Sequence, residues 1–121
     1  MAILHVDDQE AVRAIVRRAL ESFGFTVVSA DGVLAAKLAI TAREDLTGAF
    51  LDVRLLDGSG VGLYEWIGVH RPTLATRVAF LTGDPEAHAS LAALGCPIIG
   101  KPFELGALRR VAAEWEAAGQ D

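Results

Sequence analysis

The sequence has almost no cysteine and no apolar run long enough to cross a membrane. Among its 121 residues only Cys96 carries a thiol, so an internal disulfide is excluded, and with it the class of small disulfide-stapled secreted proteins. The longest uncharged stretch, residues 87–100, is shorter than a membrane-spanning helix, which needs about 20 apolar residues. No signal peptide is recognisable, because Asp7 and Asp8 interrupt the first apolar run. We expect a cytoplasmic domain without a membrane partner.

Positive charge is also scarce. The formal net charge is −5, so a nucleic-acid backbone would meet a repulsive surface, and we expect no nucleic-acid partner. Only 2 of the 11 basic residues are lysine, which makes Lys101 a candidate for a site that needs a compact ammonium group. The length fits one core, and we expect residues 1–121 to form a single domain with no output domain.

Short apolar runs alternate with segments of helical period five times along the chain. The predicted strands are Ile3–Val6, Thr26–Ala30, Ala49–Val53, Val78–Leu81 and Pro97–Gly100. The predicted helices are 9–23, a segment containing Leu34, Leu38 and Ile40, a segment that follows the glycine-rich loop Asp57–Gly60 and ends at Pro72, 85–94 and 105–118. Strands that are joined through helices run parallel and are covered on both faces, which fits their continuous apolar runs. The sequence therefore predicts an α/β fold, a (βα)5 doubly wound five-stranded parallel sheet with helices on both faces.

Two of the helical segments have a clear apolar face, which we expect to be buried. In the first helix it consists of Val12, Ile15, Val16, Ala19, Leu20 and Phe23. In the last helix it consists of Leu105, Leu108, Val111, Ala112 and Trp115. His5 falls inside the first strand, where we expect a core histidine with satisfied ring nitrogens rather than a metal ligand.

Polar side chains stand at the ends of four of the five predicted strands. Asp7 and Asp8 follow the first strand, Asp52 lies near the end of the third, Thr82 follows the fourth and Lys101 follows the fifth. Each has an ordinary explanation on its own, such as a helix cap or a turn hydroxyl. However, ligands of doubly wound sheets bind beyond the carboxyl ends of the strands, so these residues converge on one edge if their strands are neighbours.

Such a group of carboxylates needs a cation. Two carboxylates about 4 Å apart repel each other by roughly 4 kcal/mol at an effective dielectric constant of about 20. Carboxylates with open positions suit Mg²⁺, which also binds phosphoryl oxygens. The hydroxyl of Thr82 and the ammonium of Lys101 would donate to the other oxygens of a phosphoryl group, and an aspartate can be the nucleophile. The pattern indicates that Asp52 accepts a phosphoryl group.

Four short motifs resemble the signature sites of bacterial response-regulator receiver domains, the CheY-like domains of two-component signalling. They are Val6-Asp7-Asp8, Leu51-Asp52-Val53, Leu81-Thr82-Gly83 and Gly100-Lys101-Pro102-Phe103. They occur in the family's order and near its spacing, over essentially the whole chain. The resemblance implies the flavodoxin-like strand order 2-1-3-4-5.

The resemblance also implies a site and a partner. Asp52 would be phosphorylated by a sensor histidine kinase or a histidine phosphotransfer protein, in a phosphorelay step that depends on Mg²⁺. Asp8, Asp52 and the backbone carbonyl of Arg54 would ligate Mg²⁺, and Asp7 would assist through a water molecule. The domain would be a signalling switch and not an enzyme, since it catalyses at most its own phosphorylation and dephosphorylation.

In the same family Thr82 and Lys101 contact the phosphoryl group, and the Lys101–Pro102 peptide is cis. The resemblance implies signalling to a downstream protein through the face of helix 4, strand 5 and helix 5, by a monomer or a weak phosphorylation-dependent dimer. Three features depart from the family pattern. Ile98 replaces a frequent aromatic residue, Leu56 replaces a frequent proline, and the segment 83–100 is slightly short. The first and third put the usual route of signal output in doubt.

Arg54 and Asp84 lie in loops beside the predicted site, and we expect an ion pair across its mouth that limits the access of water to the acyl phosphate. Three other functions are compatible with a sheet of this kind. A pseudo-receiver scaffold is favoured only by Ile98. An Asp-nucleophile phosphatase typically needs a D-x-D motif and a cap, which the sequence lacks. A nucleotide- or flavin-binding module is disfavoured by the acidic, glycine-free turn after the first strand.

Overall fold

Five parallel strands form one sheet in the computed structural model, which describes residues 1–118. The strands are β1 (Ala2–Val6), β2 (Thr26–Ala30), β3 (Leu46–Asp52), β4 (Val78–Thr82) and β5 (Ile98–Gly100). Their order across the sheet is β2-β1-β3-β4-β5, and each neighbouring pair is parallel. The predicted fold class and strand order are therefore confirmed. Residues 119–121 of the predicted domain lie outside the described range.

Five helices cover the two faces of the sheet. They are α1 (Glu10–Ser22), α2 (Val33–Ala42), α3 (Gly60–His70), α4 (Pro85–Ala92) and α5 (Leu105–Ala118). Two short elements were not predicted. A two-stranded antiparallel ribbon pairs Arg54–Leu55 with Gly58–Ser59, and a four-residue helix spans Pro72–Ala75. Pro72 stands at the first position of that short helix, where its missing N–H costs nothing, so it both ends α3 and starts the next turn.

The hydrophobic core lies in two layers, one on each face of the sheet. Leu4, Leu51 and Phe80 point into the layer beneath α2, α3 and α4, while Phe50 and Leu81 point into the layer beneath α1 and α5. Every residue of β1 and of β4 is buried. This burial on both faces explains why these strands are continuous apolar runs rather than alternating ones.

Strand β3 begins at Leu46, three residues before the predicted start at Ala49. Gly48 explains the difference. A Cβ atom at this position would lie 2.3 Å from the ring of Trp115, so the indole of α5 occupies the space where a side chain would stand. The register against β1 also shifts here, between Ala2 and Ile3. Gly48 is therefore required by packing against Trp115, although it falls outside the strand predicted from the sequence.

The apolar faces of α1 and α5 are only partly buried. Ile15 is 54% exposed and Leu105 is 40% exposed, so for these two residues the predicted burial is wrong. Both line the same shallow groove between α1 and α5. The apolar face of each helix is wider than the part of the helix surface that packs against the sheet, so the residues at the margin of this face are exposed to solvent. Among residues 1–118, no helix combines the length and apolar character of a membrane span.

Candidate functional site

Neighbouring strands bring all five predicted residues to the carboxyl edge of the sheet. Asp7 and Asp8 follow β1, Asp52 and Thr82 are the last residues of β3 and β4, and Lys101 follows β5. A recess of about 380 Å³ opens at this edge. It is lined by Asp8, Gln9, Asp52, Arg54, Thr82, Gly83, Asp84 and Lys101. Asp7 lies beneath it, fully buried.

Three carboxylates meet in this recess. Asp7, Asp8 and Asp52 each offer one oxygen, and these oxygens lie within 4.8 Å of one another. The ammonium of Lys101 donates to Asp7 Oδ2 at 2.8 Å and to Asp52 Oδ2 at 3.1 Å. One positive charge thus faces three carboxylates, and the remaining negative charge fits a divalent cation held by oxygen ligands.

The pKa values of Lys101 and Asp52 are both raised in the folded protein. Burial raises the pKa of Asp52 and outweighs the opposing hydrogen bond and charge of Lys101. Burial by itself would lower the pKa of Lys101, but the hydrogen bonds from its ammonium to Asp7 and Asp52 outweigh burial, so that pKa is raised. Lys101 therefore stays protonated at neutral pH, whereas Asp52 is a more basic carboxylate than an exposed aspartate.

Asp7 shapes the turn after β1 rather than capping α1. Its Oδ1 accepts a hydrogen bond from the backbone N–H of Gln9 at 2.9 Å, and its carbonyl oxygen accepts one from Arg13 at 2.7 Å. Gln9 is the N-cap residue of α1 and its side chain makes no capping bond. The alternative explanation of Asp7-Asp8 as an ordinary helix cap therefore fails.

Thr82 is a turn hydroxyl and also lines the recess. Its Oγ1 accepts a hydrogen bond from the backbone N–H of Asp84 at 3.0 Å, which leaves its own proton free to donate. The role of Thr82 in the turn is therefore compatible with its role as a donor to a phosphoryl group.

The peptide between Lys101 and Pro102 is cis, as the family resemblance implies.

Arg54 and Asp84 form the ion pair expected at the mouth of the recess, with 2.7 Å between Nη2 and Oδ2. The Arg54 side chain is 82% exposed. Asp84 has a second contact, because its Oδ1 accepts from the backbone N–H of Glu86 at 2.9 Å and so caps α4. Any test of the ion pair has to preserve that cap.

Gly60 is a site residue that sequence analysis missed. A Cβ atom there would lie 2.2 Å from the backbone oxygen of Asp52, so only glycine lets α3 begin against the end of β3. Its N–H also donates to the carbonyl of Val53 at 2.8 Å. The glycine-rich run 58–60 was visible in the sequence, but it was interpreted as a loop and not as a close approach of two backbones.

His5 corrects another expectation. It is fully buried, as predicted, but among residues 1–118 neither of its ring nitrogens has a hydrogen-bond partner. Burial lowers its pKa from 6.5 to about 4. The ring is therefore neutral at neutral pH, and the folded protein takes up its proton only in acid.

This buried ring predicts a loss of stability in acid. Between pH 6.5 and pH 4 the unfolded chain binds a proton at His5 that the folded chain does not, so the free energy of unfolding falls as the pH falls. The loss at pH 4.5 relative to pH 7 is about 2.5 kcal/mol. Between pH 7 and pH 4.5, denaturant titrations should show a loss of stability that is larger in the wild type than in His5→Leu by about this amount. A variant of the exposed His88, His88→Gln, should behave as the wild type, and an equal pH dependence in His5→Leu would contradict the prediction.

The sequence profile of the response regulator receiver domain matches residues 3–113. The chain belongs to this family. Among curated proteins, the KDP operon transcriptional regulatory protein KdpE of Escherichia coli is 34% identical over 111 residues, which cover 88% of this chain and 47% of KdpE. The photosynthetic apparatus regulatory protein RegA of Rhodobacter capsulatus is 34% identical over 93 residues, which cover 77% of this chain and 49% of RegA. The receiver domain thus spans about half the length of these relatives.

A solved structure gives the same answer. The receiver domain of NtrX from Brucella abortus has a TM-score of 0.83 and 29% identity, and the alignment covers 93% of this chain and 96% of that domain. Receiver domains are the phosphoacceptor components of two-component response regulators, which partner with histidine kinases, and they are signalling domains rather than classical enzymes. The cytoplasmic location and the extent of the domain stay predictions.

Proposed function

We propose that Asp52 accepts a phosphoryl group from the phosphohistidine of a sensor histidine kinase or a histidine phosphotransfer protein. One observation carries this proposal: Lys101 bridges Asp7 and Asp52 at a strand edge where a third carboxylate, Asp8, is also within reach. A carboxylate oxygen of Asp52 attacks phosphorus, the P–N bond breaks, and the leaving imidazole takes up a proton. The product is an aspartyl phosphate.

Mg²⁺ fits the donor set, which is made of hard oxygen ligands with a net negative charge. Asp8, Asp52 and the backbone carbonyl of Arg54 would hold the ion, and Asp7 would bind it through water. When bound, the ion neutralises charge on the phosphoryl oxygens. Through its 2.8 Å bond to the Lys101 ammonium, Asp7 would keep Lys101 at the site when Lys101 leaves Asp52 for the phosphoryl group. Thr82 donates its free proton to another phosphoryl oxygen.

Mass spectrometry tests this function directly. The chain is incubated with acetyl phosphate, a small acyl-phosphate donor, and MgCl₂. We expect a mass gain of one phosphoryl group that EDTA prevents and that peptide mapping assigns to Asp52. A protein that gains no mass at any Mg²⁺ concentration would instead be a pseudo-receiver scaffold, the alternative that Ile98 favours.

Phosphorylation adds a charge of roughly −1.5 to −2 at Asp52 and shifts the domain between two conformations. A downstream protein would then be bound through the face formed by α4, β5 and α5. Ile98 pairs with Phe80 in this part of the sheet. Because Ile98 stands where the family often has an aromatic residue, this chain has no aromatic ring at that position that could move inward when Thr82 approaches the phosphoryl group. The domain would act as a monomer or as a weak phosphorylation-dependent dimer, without nucleic-acid contact of its own.

We expect the ion pair between Arg54 and Asp84 to lengthen the lifetime of the aspartyl phosphate, relative to a protein without the pair, because it limits the access of water. Arg54→Ala should speed hydrolysis by about two- to fivefold, since an exposed pair contributes at most about 1 kcal/mol. Asp84→Asn removes the same ion pair but keeps an oxygen that accepts from Glu86, so it should match Arg54→Ala without loosening α4. Loss of phosphate is followed by mass after the donor is removed. If both variants keep the wild-type lifetime, the two residues are unrelated loop charges.

A further inference from the structure

The segment after the phosphoacceptor strand is tied to a distant helix. We call residues 54–59, which form the short ribbon, the site loop. Asp57, at its tip, accepts hydrogen bonds from two backbone N–H groups of α2: Oδ1 from Val33 at 2.7 Å and Oδ2 from Leu34 at 3.1 Å. The N-cap residue of α2 itself is Gly32, which has no side chain to make these bonds. The site loop therefore supplies the cap that α2 lacks.

Glycines on both sides make this contact possible. A Cβ atom at Gly32 would lie 2.6 Å from Asp57 Oδ1, so any other residue would push the carboxylate off the helix. Gly58 has φ +155° and a Cβ atom there would lie 3.0 Å from Val33. The bonds from Val33 and Leu34 lower the pKa of Asp57, which keeps its charge at the positive end of the α2 dipole.

The other end of the site loop rests on the phosphoacceptor. The backbone N–H of Arg54 hydrogen-bonds to the Asp52 carboxylate, which opposes but does not outweigh the rise in the Asp52 pKa that burial causes. Arg54 pairs with Ser59 across the ribbon, and the N–H of Gly60 closes the base of the loop on Val53. The Arg54 backbone is thus fixed between Asp52 at one end and α2 at the other.

We infer that Asp57 is a positioning residue, which holds the Arg54 backbone where it can ligate a divalent cation and couples cation binding to the capping of α2. Asp57 itself does not touch the cation. Because such coupling is reciprocal, a cation in the recess strengthens the cap, and loss of the cap weakens cation binding. This inference rests on the proposed function, since it needs Mg²⁺ to bind at Asp8 and Asp52.

Calorimetric titration with MgCl₂ alone tests the inference on four proteins. Asp57→Ala should raise the Kd for Mg²⁺ by about three- to fivefold, because the coupling passes to the metal site at most the stability that a typical helix cap contributes. Asp57→Asn keeps one acceptor oxygen without the charge, so its Kd should lie closer to that of the wild type. Asp45→Ala removes an equal charge from an exposed pair with Arg43 and should leave the Kd unchanged. Equal Kd values for Asp57→Ala and wild type would overturn the inference, as would equal weakening in Asp45→Ala.

Hydrogen exchange of single amides gives a second result that does not depend on phosphorylation. Mg²⁺ should slow exchange at the N–H groups of Val33 and Leu34 in the wild type and leave them unaffected in Asp57→Ala. If Mg²⁺ binds the wild type but does not slow these two amides, the coupling is absent. If Mg²⁺ binds neither protein, the proposed metal site fails with it, and that outcome is distinguished by the lack of heat in the wild-type titration.

Discussion

Asp52→Asn is expected to abolish phosphoryl uptake from acetyl phosphate at every Mg²⁺ concentration. The amide has no anionic oxygen to attack phosphorus, and the change preserves the shape of the side chain at the end of β3. Because Asp52 shares Lys101 with Asp7, the amide also leaves Asp7 with an ammonium of its own, so the variant should fold at least as well as the wild type. Mass spectrometry after incubation with the donor gives the yield.

Asp8→Asn is the matched control. It removes one carboxylate from the same cluster but keeps the nucleophile, so uptake should fall at low Mg²⁺ and recover as Mg²⁺ is raised. The two variants thus separate the loss of the acceptor from the loss of a metal ligand. Equal yields in Asp52→Asn and wild type would place the acceptor elsewhere and reject the proposed function.

The second large effect is expected for Lys101→Met in the protein without metal. Removing the ammonium leaves Asp7 fully buried and Asp52 largely buried, with no cation between them. Breaking a buried ion pair by deleting one partner costs about 3 kcal/mol or more, because the remaining charge has lost its compensation. The same change should raise the pKa of Asp52 further, since the hydrogen bond and the charge of Lys101, which lower it, are lost while burial and the charge of Asp7 remain.

Mg²⁺ should restore part of the stability of Lys101→Met, because the ion supplies the missing positive charge. Denaturant titrations with EDTA and with MgCl₂ measure both effects. Lys37→Met is the matched control, since the other lysine of the chain lies 5.5 Å from the centre of the Trp66 ring and neutralises no buried acid. If the two methionine variants lose equal stability, Lys101 is not compensating the buried carboxylates.

Much of the site was predictable because polar residues at strand ends stand out against apolar runs. The apolar strands predicted the sheet, and Asp52, Thr82 and Lys101 each stood at the end of one of them. The strand order was not predictable from periodicity and came from the family resemblance. The start of β3 could not be predicted. The ring of Trp115 leaves no room for a side chain at Gly48, and Trp115 lies more than sixty residues further along the chain.

Partners that lie far apart in the chain account for the other differences. His5 lies in an apolar strand, and its burial was predictable, but the lack of hydrogen-bond partners for its ring among residues 1–118 could not be predicted from the sequence. Asp57 looked like an ordinary turn residue, and its bonds to Val33 and Leu34 cross 24 and 23 positions of the chain. Such contacts depend on how loops meet in three dimensions, so they cannot be predicted from local patterns in the sequence.

The packing of Trp115 also gives the protein a built-in optical reporter. Its indole ring lies 4.8 Å from the ring of Phe50, which stands two residues before Asp52 on the same strand. The other tryptophan, Trp66, is stacked on His70 on the far side of the sheet, away from this strand. Fluorescence of Trp115 therefore follows the surroundings of β3 without an added dye. Replacing Trp66 by Phe leaves a single tryptophan, whose spectrum reports on the strand that carries the acceptor.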